Sequence, residues 1–566
     1  MKNLVIIFLF TWIAFSGFSQ VIEKGIYVVT FSDKGPVNKN HMLVPADVLS
    51  DKAVARRLRQ NIPLNESDLP VYAPYIDNLI SNGAEVLTRS RWLNCVVVET
   101  DEQIAGNLEK IAGIAEIKKI GTRDENVVTA VNRKLETELK EYTDPQAFKS
   151  MTASNSIDYG ASAGQINMLK GEYLHNLNYL GQGITIAVLD NGFSKVDVLP
   201  AFDSLWANNQ VLGTKDFVIP GASVFDPSGG IHGTMVLSTM AANLPGIMVG
   251  TAPKADYWLI HTEDNAGEAV IEEYYWVSGA EFADSVGADV INSSLGYTTF
   301  INSPEYDHTY ADMDGNTCVS TIGADIAASK GILVVNSAGN SGGNSWFYIG
   351  APADGDSVFT IGAVTASGIV TNFSSRGPTY DGRIKPDIVA QGQRDAVYSW
   401  NASAPNGAVF YGDGTSFSSP IIAGMSACLW QAAPDKNNME LIESIRNTAN
   451  NALEPDSVTG WGIPDFEAAH QSLTAGIEEA VVKSKLLVYP NPFSQSLSMI
   501  TPSGISGDIN IDFIAPDGRT ILQENMQISR PTNEIYLDGL DQFPGGLYFV
   551  IVRTGNAIYS APCLKL

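Results

Sequence analysis

Hydrophobic and polar positions alternate near the N-terminus and give way to longer apolar runs farther along the chain. The segments GIYVVTFS and LNCVVVET alternate as half-buried strands do, and helical spacing appears over Pro45–Gln60 and Glu102–Ile111. These patterns predict a small α+β unit over residues 20 to about 120. The stretch from Asp124 to Ser156 is polar and charged with few large apolar side chains, which predicts an exposed linker.

From about Gln165 to Ala475, apolar runs alternate with helix-like segments. The runs are GITIAVLD, DVINSSLG, GILVVNSAGN and SVFTIGAV, and segments such as HGTMVLSTMAAN and TIGADIAASK separate them. Near-continuous Val, Ile and Leu is typical of parallel strands that are covered on both faces. We therefore predict an α/β fold, a parallel sheet with helices on both faces, whose chemistry lies at the carboxyl ends of the strands.

The two ends of the chain differ from this middle part. Lys2, an apolar run from Leu4 to Phe18 and the small residue Ser19 predict a secretory signal peptide. No later stretch reaches about 18 unbroken apolar residues, so no transmembrane anchor is expected. Short strands such as DINIDFI and GGLYFVIVR predict an all-β sandwich at the C-terminal end. The predicted divisions are a signal peptide (1–19), an α+β unit with its linker (20–150), an α/β unit (151–475), a second linker (476–486) and an all-β unit (487–566).

Composition narrows the possible partners. The 566 residues include 35 Lys and Arg against 62 Asp and Glu, a net charge of −27 with a pI near 4.5. Because basic side chains supply affinity for phosphate, nucleic acid is not expected as a partner. Hydrophobic residues at 45% and charged residues at 17% indicate a folded protein rather than a disordered one.

The four cysteines are scattered without zinc-type spacing. They are Cys95, Cys318, Cys428 and Cys563. A disulfide between Cys318 and Cys428 stays open at this point, because only the distance between their Cα atoms decides it.

Three polar residues stand where strands end or helices begin. Ser416, in GDGTSFSSPIIAGMSACLWQ, starts an apolar helix, where unpaired backbone N–H groups favour a developing negative charge; a plain N-cap is the alternative. His232 starts another helix after a glycine-rich loop and offers a general base, or else is a hydrogen-bonded surface histidine. Asp190 ends a buried strand and could orient an imidazole or form an Asx turn. A nucleophilic hydroxyl, a general base and a carboxylate that orients the base are together the components of serine-based catalysis.

The order Asp190, His232, Ser416 along the chain is the order found in subtilisin and differs from that of chymotrypsin and the α/β-hydrolases. Seven motifs surround these residues in sequence: VLDNGF, HGT, NSSLG, VVNSAGNSG, NFSSRGP, KPDIVAQG and GTSFSSP. Through these motifs, residues 165 to 470 resemble the subtilase family of serine endopeptidases.

The resemblance implies a role for each matching position. Ser416 would be the nucleophile, His232 the general base and acid, and Asp190 its orienting partner. Asn340 would donate to the oxyanion beside the backbone N–H of Ser416. Ser294, Leu295 and Gly296 would pair with an extended substrate, and Gly339 would border the pocket for the side chain that precedes the cut.

The motifs depart from the family pattern at four positions, none of which is a reacting group. They are Asn191, Met235, Phe417 and Tyr297. Tyr297 stands where the family often has glycine, so the shape of the substrate pocket cannot be carried over from relatives. The chemistry requires no cofactor, although many subtilases bind structural calcium. Asp312, Asp314 and Asn316 offer oxygen ligands, but no glutamate follows at EF-hand distance, and a solvated loop is the preferred interpretation.

The flanking parts also resemble known modules. Residues 20 to 120 look like a subtilase propeptide, a transient inhibitor removed on maturation. The tail from Leu487, beginning with LVYPNPF, is similar to the C-terminal sorting domain of the type IX secretion system.

We therefore expect a secreted or surface-exposed serine endopeptidase, made as a zymogen and exported through the periplasm and outer membrane to act on proteins or peptides. Two other functions are considered. A catalytically silent surface protein that keeps the fold for binding would show a broken triad, and a sedolisin-type acid peptidase would use a glutamate base where this chain has His232.

Overall fold

The computed structural model describes residues 24–36, 48–122, 157–265, 267–301, 303–474, 483–515, 519–554 and 558–566. The chain forms two compact units, Met1–His470 and Gln471–Leu566. The predicted signal peptide and the predicted linker from Asp124 to Ser156 lie outside the described residues. Within the described residues, no helix has the length and apolar character needed to cross a bilayer.

The first unit begins with a four-stranded antiparallel sheet in the order β2-β3-β1-β4. Its elements are β1 (Lys24–Phe31), α1 (Asp51–Arg59), α2 (Ala73–Ser81), β2 (Glu85–Ser90), β3 (Cys95–Asp101), α3 (Glu102–Leu108) and β4 (Ile114–Thr122). One face of the sheet, including Val29 and Val96, packs on α2 and α3. The other face, including Ile26 and Val97, joins the core of the larger sheet. We call this part, residues 24–122, the N-terminal domain; it is α+β as predicted.

The larger sheet has seven strands, all parallel, in the order β13-β12-β11-β10-β5-β9-β6. The strands of this part are β5 (Thr185–Asp190), β6 (Val211–Asp216), β7 (Asn243–Leu244), β8 (Met248–Val249), β9 (Asp256–His261), β10 (Val290–Ser293), β11 (Leu333–Ser337), β12 (Phe359–Val364) and β13 (Ile388–Gln391). A two-stranded hairpin follows, formed by β14 (Gln393–Asn401) and β15 (Ala404–Asp413). The predicted α/β parallel sheet is confirmed.

Helices cover both faces of this sheet. They are α4 (Ala163–Asn167), α5 (Gly171–Asn176), α6 (Asp203–Ala207), α7 (His232–Ala241), α8 (Ile271–Val286), α9 (Val319–Ser329), α10 (Thr415–Ala432), α11 (Asn438–Asn447) and α12 (Phe466–Thr474). Ala187 and Leu189 of β5 share a core with α8 and α9, whereas α10 packs along β10, β11 and β12. Every side chain of β5 is therefore buried, which explains its unbroken apolar sequence.

The second unit is all-β, as predicted. Its strands are β16 (Lys483–Lys485), β17 (Leu487–Tyr489), β18 (Leu497–Ile514), β19 (Thr520–Leu537), β20 (Gly546–Arg553) and β21 (Ile558–Lys565). The long strand β18 pairs with β19 along its length, and its opposite edge is shared between β17 and β20. Alternate residues such as Ile509, Ile511 and Phe513 form one core with residues of the other strands.

All four cysteines are free. Cys318 packs with Met313 and Ala351, whereas the Cys428 thiol lies 3.2 Å from the carbonyl oxygen of Thr251. The disulfide that the sequence left open between Cys318 and Cys428 is therefore not formed.

Candidate active site

The carboxylate of Asp190 and the imidazole of His232 meet where β5 ends and α7 begins. His232 Nδ1 donates a 2.7 Å hydrogen bond to Asp190 Oδ1, which also accepts one from the backbone N–H of Asn191 at 2.8 Å. Asp190 is fully buried and His232 is 7% exposed. A Cβ atom on Gly233 would lie 2.3 Å from the carbonyl oxygen of Gly192, so only glycine lets α7 start this close to β5.

Ser416 lies in the first turn of α10, beside Ser294, the residue that follows β10. Its Oγ lies 3.4 Å from the carbonyl oxygen of Ser294, and Ser294 Oγ donates to the carbonyl of Ser416 at 2.9 Å. The ring of Phe417, the next residue, lies 6.1 Å from the His232 ring, centroid to centroid. The fold thus brings the start of α10 beside the imidazole, although 184 positions of sequence numbering separate His232 from Ser416.

Asn340 lies just beyond the end of β11 and is fixed from one side by Thr415, the first residue of α10. Its Oδ1 accepts hydrogen bonds from the Thr415 backbone N–H at 2.9 Å and from Thr415 Oγ1 at 3.0 Å. The side-chain amide is therefore oriented with its oxygen toward Thr415 and its NH₂ group at the other end. Gly339 has a φ of +101°, and a Cβ there would lie 3.0 Å from Ser375 Oγ, so this turn needs glycine.

One cleft collects most of the predicted site residues. Ser294, Leu295, Gly296, Gly339, Asn340 and Ser416 all line it. The sequence did not identify its aromatic walls, which are Trp346, Tyr348 and Phe373. These residues follow VVNSAGN in glycine- and serine-rich segments that have no regular hydrophobic period. The sequence indicates only that these segments are loops, not that their aromatic side chains line the cleft.

Tyr297, the departure expected to alter the substrate pocket, points into the core. It is fully buried, and its hydroxyl donates to the carboxylate of Glu263. Burial, and then the charge of Glu263, raise the pKa of Tyr297 well above its usual value. Met235 and Phe417 are also fully buried, so these three departures fill the interior and leave the reacting groups in place.

The loop offered as a calcium candidate satisfies its own carboxylates. Asp312 Oδ2 accepts from the backbone N–H of Thr309 at 2.6 Å and from its hydroxyl at 2.8 Å. Asp314 Oδ1 accepts from the backbone N–H groups of Asn316 and Thr317 at 2.8 and 2.9 Å. These bonds support the solvated-loop interpretation.

Two other clusters carry ligand-type side chains. One carboxylate oxygen from each of Glu263, Glu268 and Glu272 lies within 4.8 Å of the other two. Burial, and then the charges of the other two carboxylates, raise the pKa of Glu272. In the second cluster, His308 Nε2 donates to Glu273 at 3.1 Å, and Cys318 lies near both. Glu272 accepts hydrogen bonds from the backbone N–H groups of Asp264 and Ala269, and Glu273 accepts hydrogen bonds from Ser320, so both have structural partners already.

Comparison with known families agrees with this geometry. The subtilase family profile matches residues 181–462, a Bacteroidota peptidase S8 propeptide domain matches 26–137, and a secretion system C-terminal sorting domain matches 487–562. Subtilisin E of Bacillus subtilis (strain 168) is 30% identical over 322 residues, covering 56% of this chain and 72% of that protein. The subtilisin of Bacillus pumilus is also 30% identical over 322 residues and is covered in full.

Among solved structures, fervidolysin from Fervidobacterium pennivorans, a keratinolytic enzyme related to subtilisin, shares the fold. It superposes with a TM-score of 0.54 at 18% identity, covering 94% of this chain and 70% of that one. The sorting domain at residues 487–562 marks the chain for export by the type IX secretion system to the cell surface or beyond. The chain belongs to the subtilase family and is a subtilisin-like serine endopeptidase with a propeptide domain and a C-terminal sorting domain.

Proposed function

We propose that Ser416 attacks the scissile peptide carbonyl while His232 takes the proton from its Oγ. The carboxylate of Asp190 accepts from His232 Nδ1, which leaves Nε2 as the proton acceptor and stabilises the imidazolium once it forms. His232 then gives the proton to the leaving amine, and an acyl-enzyme remains on Ser416. Water then attacks this ester: His232 takes a proton from the water and gives it to Ser416 Oγ, which releases the second product and restores the enzyme. The observation that carries the proposal is the buried 2.7 Å bond between Asp190 and His232 beside the start of α10.

The oxyanion is assigned to two donors. The amide oxygen of Asn340 is held by Thr415, so its NH₂ group is the end assigned to the substrate oxygen, in the cleft that both Asn340 and Ser416 line. The backbone N–H of Ser416, in the first turn of α10, supplies the second donor. Ser294, Leu295 and Gly296 are assigned to backbone pairing with an extended substrate, and Gly339 to the border of the pocket for the side chain that precedes the cut.

The domain roles follow the predicted divisions. Residues 20–150 would act as a transient inhibitor of residues 151–475, and residues 487–566 would act as an export signal joined through 476–486. Burial of one face of the N-terminal sheet against α8 and α9 supports the inhibitor role, because an inhibitor must stay bound to the domain that it inhibits. The chemistry needs no cofactor, and any calcium would serve stability.

Substitution of the nucleophile tests the proposal. Ser416→Ala deletes one oxygen from a residue that is 4% exposed and should lower kcat by roughly 10⁶ while the fold persists. Once the inhibitory residues 20–150 have been removed, a fluorophosphonate probe should label the unsubstituted protein on Ser416 and should not label the variant. Ser418→Ala is the matched control, since Ser418 lies on the same helix and its hydroxyl donates to the Thr415 carbonyl at 3.1 Å. A folded, propeptide-free protein that the probe leaves unlabelled would instead support a silent binding protein.

A further inference from the structure

The charged side chains among the described residues that line the substrate cleft are both acidic. They are Glu268 and Asp413. Asp413 is 4% exposed, and its Oδ1 accepts a hydrogen bond from the backbone N–H of Arg394 at 2.9 Å, so this carboxylate holds the β14–β15 hairpin together. Glu268 is only half-buried and lies in the loop between β9 and α8. The mechanism proposed above gives Glu268 no role.

The rest of the cleft wall is neutral. It consists of small residues, hydroxyl-bearing residues such as Thr298, and aromatic residues that include Trp346 and Tyr348. The indole N–H of Trp346 donates to the carbonyl oxygen of Ile349 at 3.0 Å, and the ring of Tyr348 stacks on that of Tyr310 with the centroids 3.8 Å apart. Aromatic rings attract cations through their faces and pack against the alkyl part of a long basic side chain. This wall therefore does not oppose a basic substrate side chain.

The backbone that carries Glu268 is fixed on both sides. The carbonyl oxygen of Glu268 accepts a hydrogen bond from the N–H of Ile301 at 3.0 Å, and the N–H of Ala269 donates to the carboxylate of Glu272 at 2.7 Å. Ile301 also lines the cleft and is 58% exposed, so it forms one edge of the cleft with Glu268. A carboxylate on a fixed backbone loses little further freedom when it binds a ligand, which favours affinity.

Two more carboxylates lie beside Glu268 and are more deeply buried. One oxygen from each of Glu263, Glu268 and Glu272 lies within 4.8 Å of the other two. Glu263 is 6% exposed and Glu272 is 1% exposed, so Glu268 is the member of this group that faces the cleft. Burial, and then the charges of Glu263 and Glu268, raise the pKa of Glu272. Negative charge is therefore concentrated here, and a nearby positive charge would lower its energy.

We propose that Glu268 is a specificity-determining residue, whose carboxylate binds the side chain of a lysine or arginine in the substrate. The inference rests on the peptidase function proposed above and deepens it, because it names the class of peptide that the cleft prefers. A basic side chain forms a charge-assisted hydrogen bond with Glu268 and relieves the repulsion among the three carboxylates. An acidic side chain at the same place would add a fourth negative group. The cleft should therefore prefer basic peptides to neutral peptides, and neutral peptides to acidic ones.

The size of the preference follows from the exposure of Glu268. A hydrogen bond to a charged group changes an affinity by roughly tenfold to a hundredfold. Because Glu268 is only half-buried, solvent screens its charge, and the lower end of this range, about tenfold, is expected. The preference should also decrease as the salt concentration rises.

The test uses the mature protein, from which the inhibitory residues 20–150 have been removed, and measures kcat/KM on peptides that differ at one position. Each position on either side of the cut carries Lys, Gln or Glu in turn. At one position at least, the Lys peptide should be cleaved about ten times more efficiently than the Gln peptide, and the Glu peptide less efficiently than either. In Glu268→Gln the ratio of Lys to Gln should fall to about one, because the charge is gone while the shape remains. Each ratio is taken on one protein, so it does not depend on how much of that protein is active.

Glu305→Gln is the matched control. Glu305 is exposed and is not among the described residues that line the cleft, so this variant loses the same charge elsewhere and should keep the original ratio. Salt at about 1 M should lower the ratio in the unsubstituted protein and leave it unchanged in Glu268→Gln. The salt series on the unsubstituted protein needs no variant, which keeps the proposal testable if Glu268→Gln does not fold. Glu268→Lys should reverse the preference in favour of the Glu peptide.

Two outcomes would overturn the proposal and leave the role of Ser416 intact. One is equal cleavage of the Lys and Gln peptides at every position, and the other is a preference for Lys that Glu268→Gln retains in full. If the folded protein cleaves none of the peptides, the role of Ser416 is refuted, and the same peptides then test Glu268 through their binding. Tighter binding of a Lys peptide that Glu268→Gln loses would support the proposal, and equal binding would overturn it.

Discussion

Arg56 is the residue whose removal should most loosen the N-terminal domain from the parallel sheet. Its side chain, on α1, is fully buried. The guanidinium donates to the carboxylate of Asp284 and to the carbonyl oxygens of Ala288 and Lys330. Asp284 also binds Arg57 at 2.7 Å, so it remains paired when Arg56 is truncated. The carbonyl groups of Ala288 and Lys330 would lose the donor that Arg56 supplies.

The magnitude follows from these contacts. Hydrogen bonds to a charged group contribute about 1.5–3 kcal/mol, and a buried carbonyl left without a donor costs about 1–3 kcal/mol. Arg56→Ala should therefore weaken docking by about 3 to 5 kcal/mol, the range for breaking a buried ion pair. At 1.4 kcal/mol per tenfold, undocking becomes roughly 10² to 4 × 10³ times more frequent.

Arg59 on the same helix provides the matched control. Its side chain is 36% exposed and pairs with Asp289 at 3.3 Å. Solvent screens such a pair, so Arg59→Ala should cost less than about 1 kcal/mol and increase undocking less than about fivefold.

Hydrogen exchange measures this difference in the full chain with Ser416→Ala. The backbone N–H groups of Arg91 and Trp92 both donate to the Glu281 carboxylate across the interface at 3.0 Å, so they exchange when the domain undocks. Peptides that contain them should exchange roughly 10² times faster in Arg56→Ala and only slightly faster in Arg59→Ala. Equal exchange in the two variants would refute the claim that burial of the Arg56 ion pair holds the domain.

Three further outcomes are expected. Asn340→Ala should lower kcat about 10²- to 10³-fold with little change in KM, because one oxyanion donor remains; steady-state kinetics on a peptide substrate check this, and an unchanged kcat would reassign the donor. Burial lowers the pKa of His175 to about 4, while an unfolded histidine titrates near 6.5, so the unfolded state binds more protons between these values. The free energy of unfolding should therefore fall by about 3 kcal/mol from pH 6.5 to pH 4 through this group, and denaturant titrations of the native chain should show a steeper loss than those of His175→Gln. A chain ending at Ser484 should still cleave peptides once its propeptide is removed but should accumulate in the periplasm of its host; equal arrival in the medium would contradict the sorting role of the tail.

Much of the candidate site could be predicted from the sequence because it depends on local geometry. Asp190 at a strand end, His232 and Ser416 at helix starts and Asn340 after a strand each occupy a position that the neighbouring residues specify. In a parallel sheet the carboxyl ends of the strands share one edge, so these groups were expected to meet. In the structure a hydrogen bond does join Asp190 and His232 at this edge.

The direction in which some side chains point could not be predicted. Tyr297 follows the substrate strand and was expected to shape the pocket, yet it points to Glu263, 34 positions earlier in the chain. Alternation in β1 suggested one exposed face, yet nearly all of its side chains are buried because α8 and α9 cover the second face. Both outcomes depend on which surface packs against the segment, and no local pattern carries that information.

The sequence by itself determined the order of the elements, the parallel sheet, the all-β tail and the positions of the reacting groups, because hydrophobic period and turn chemistry act over a few residues. Only the tertiary structure decided which charges are buried. Arg56 lies in a basic segment typical of a solvated helix face, and its partner Asp284 is 228 positions away. Asp395 belongs to an ordinary strand sequence, yet it is fully buried beside a register shift between β14 and β15. The energy of a charge depends on the solvent and counter-charges around it, and the folded chain brings those together from distant parts of the sequence.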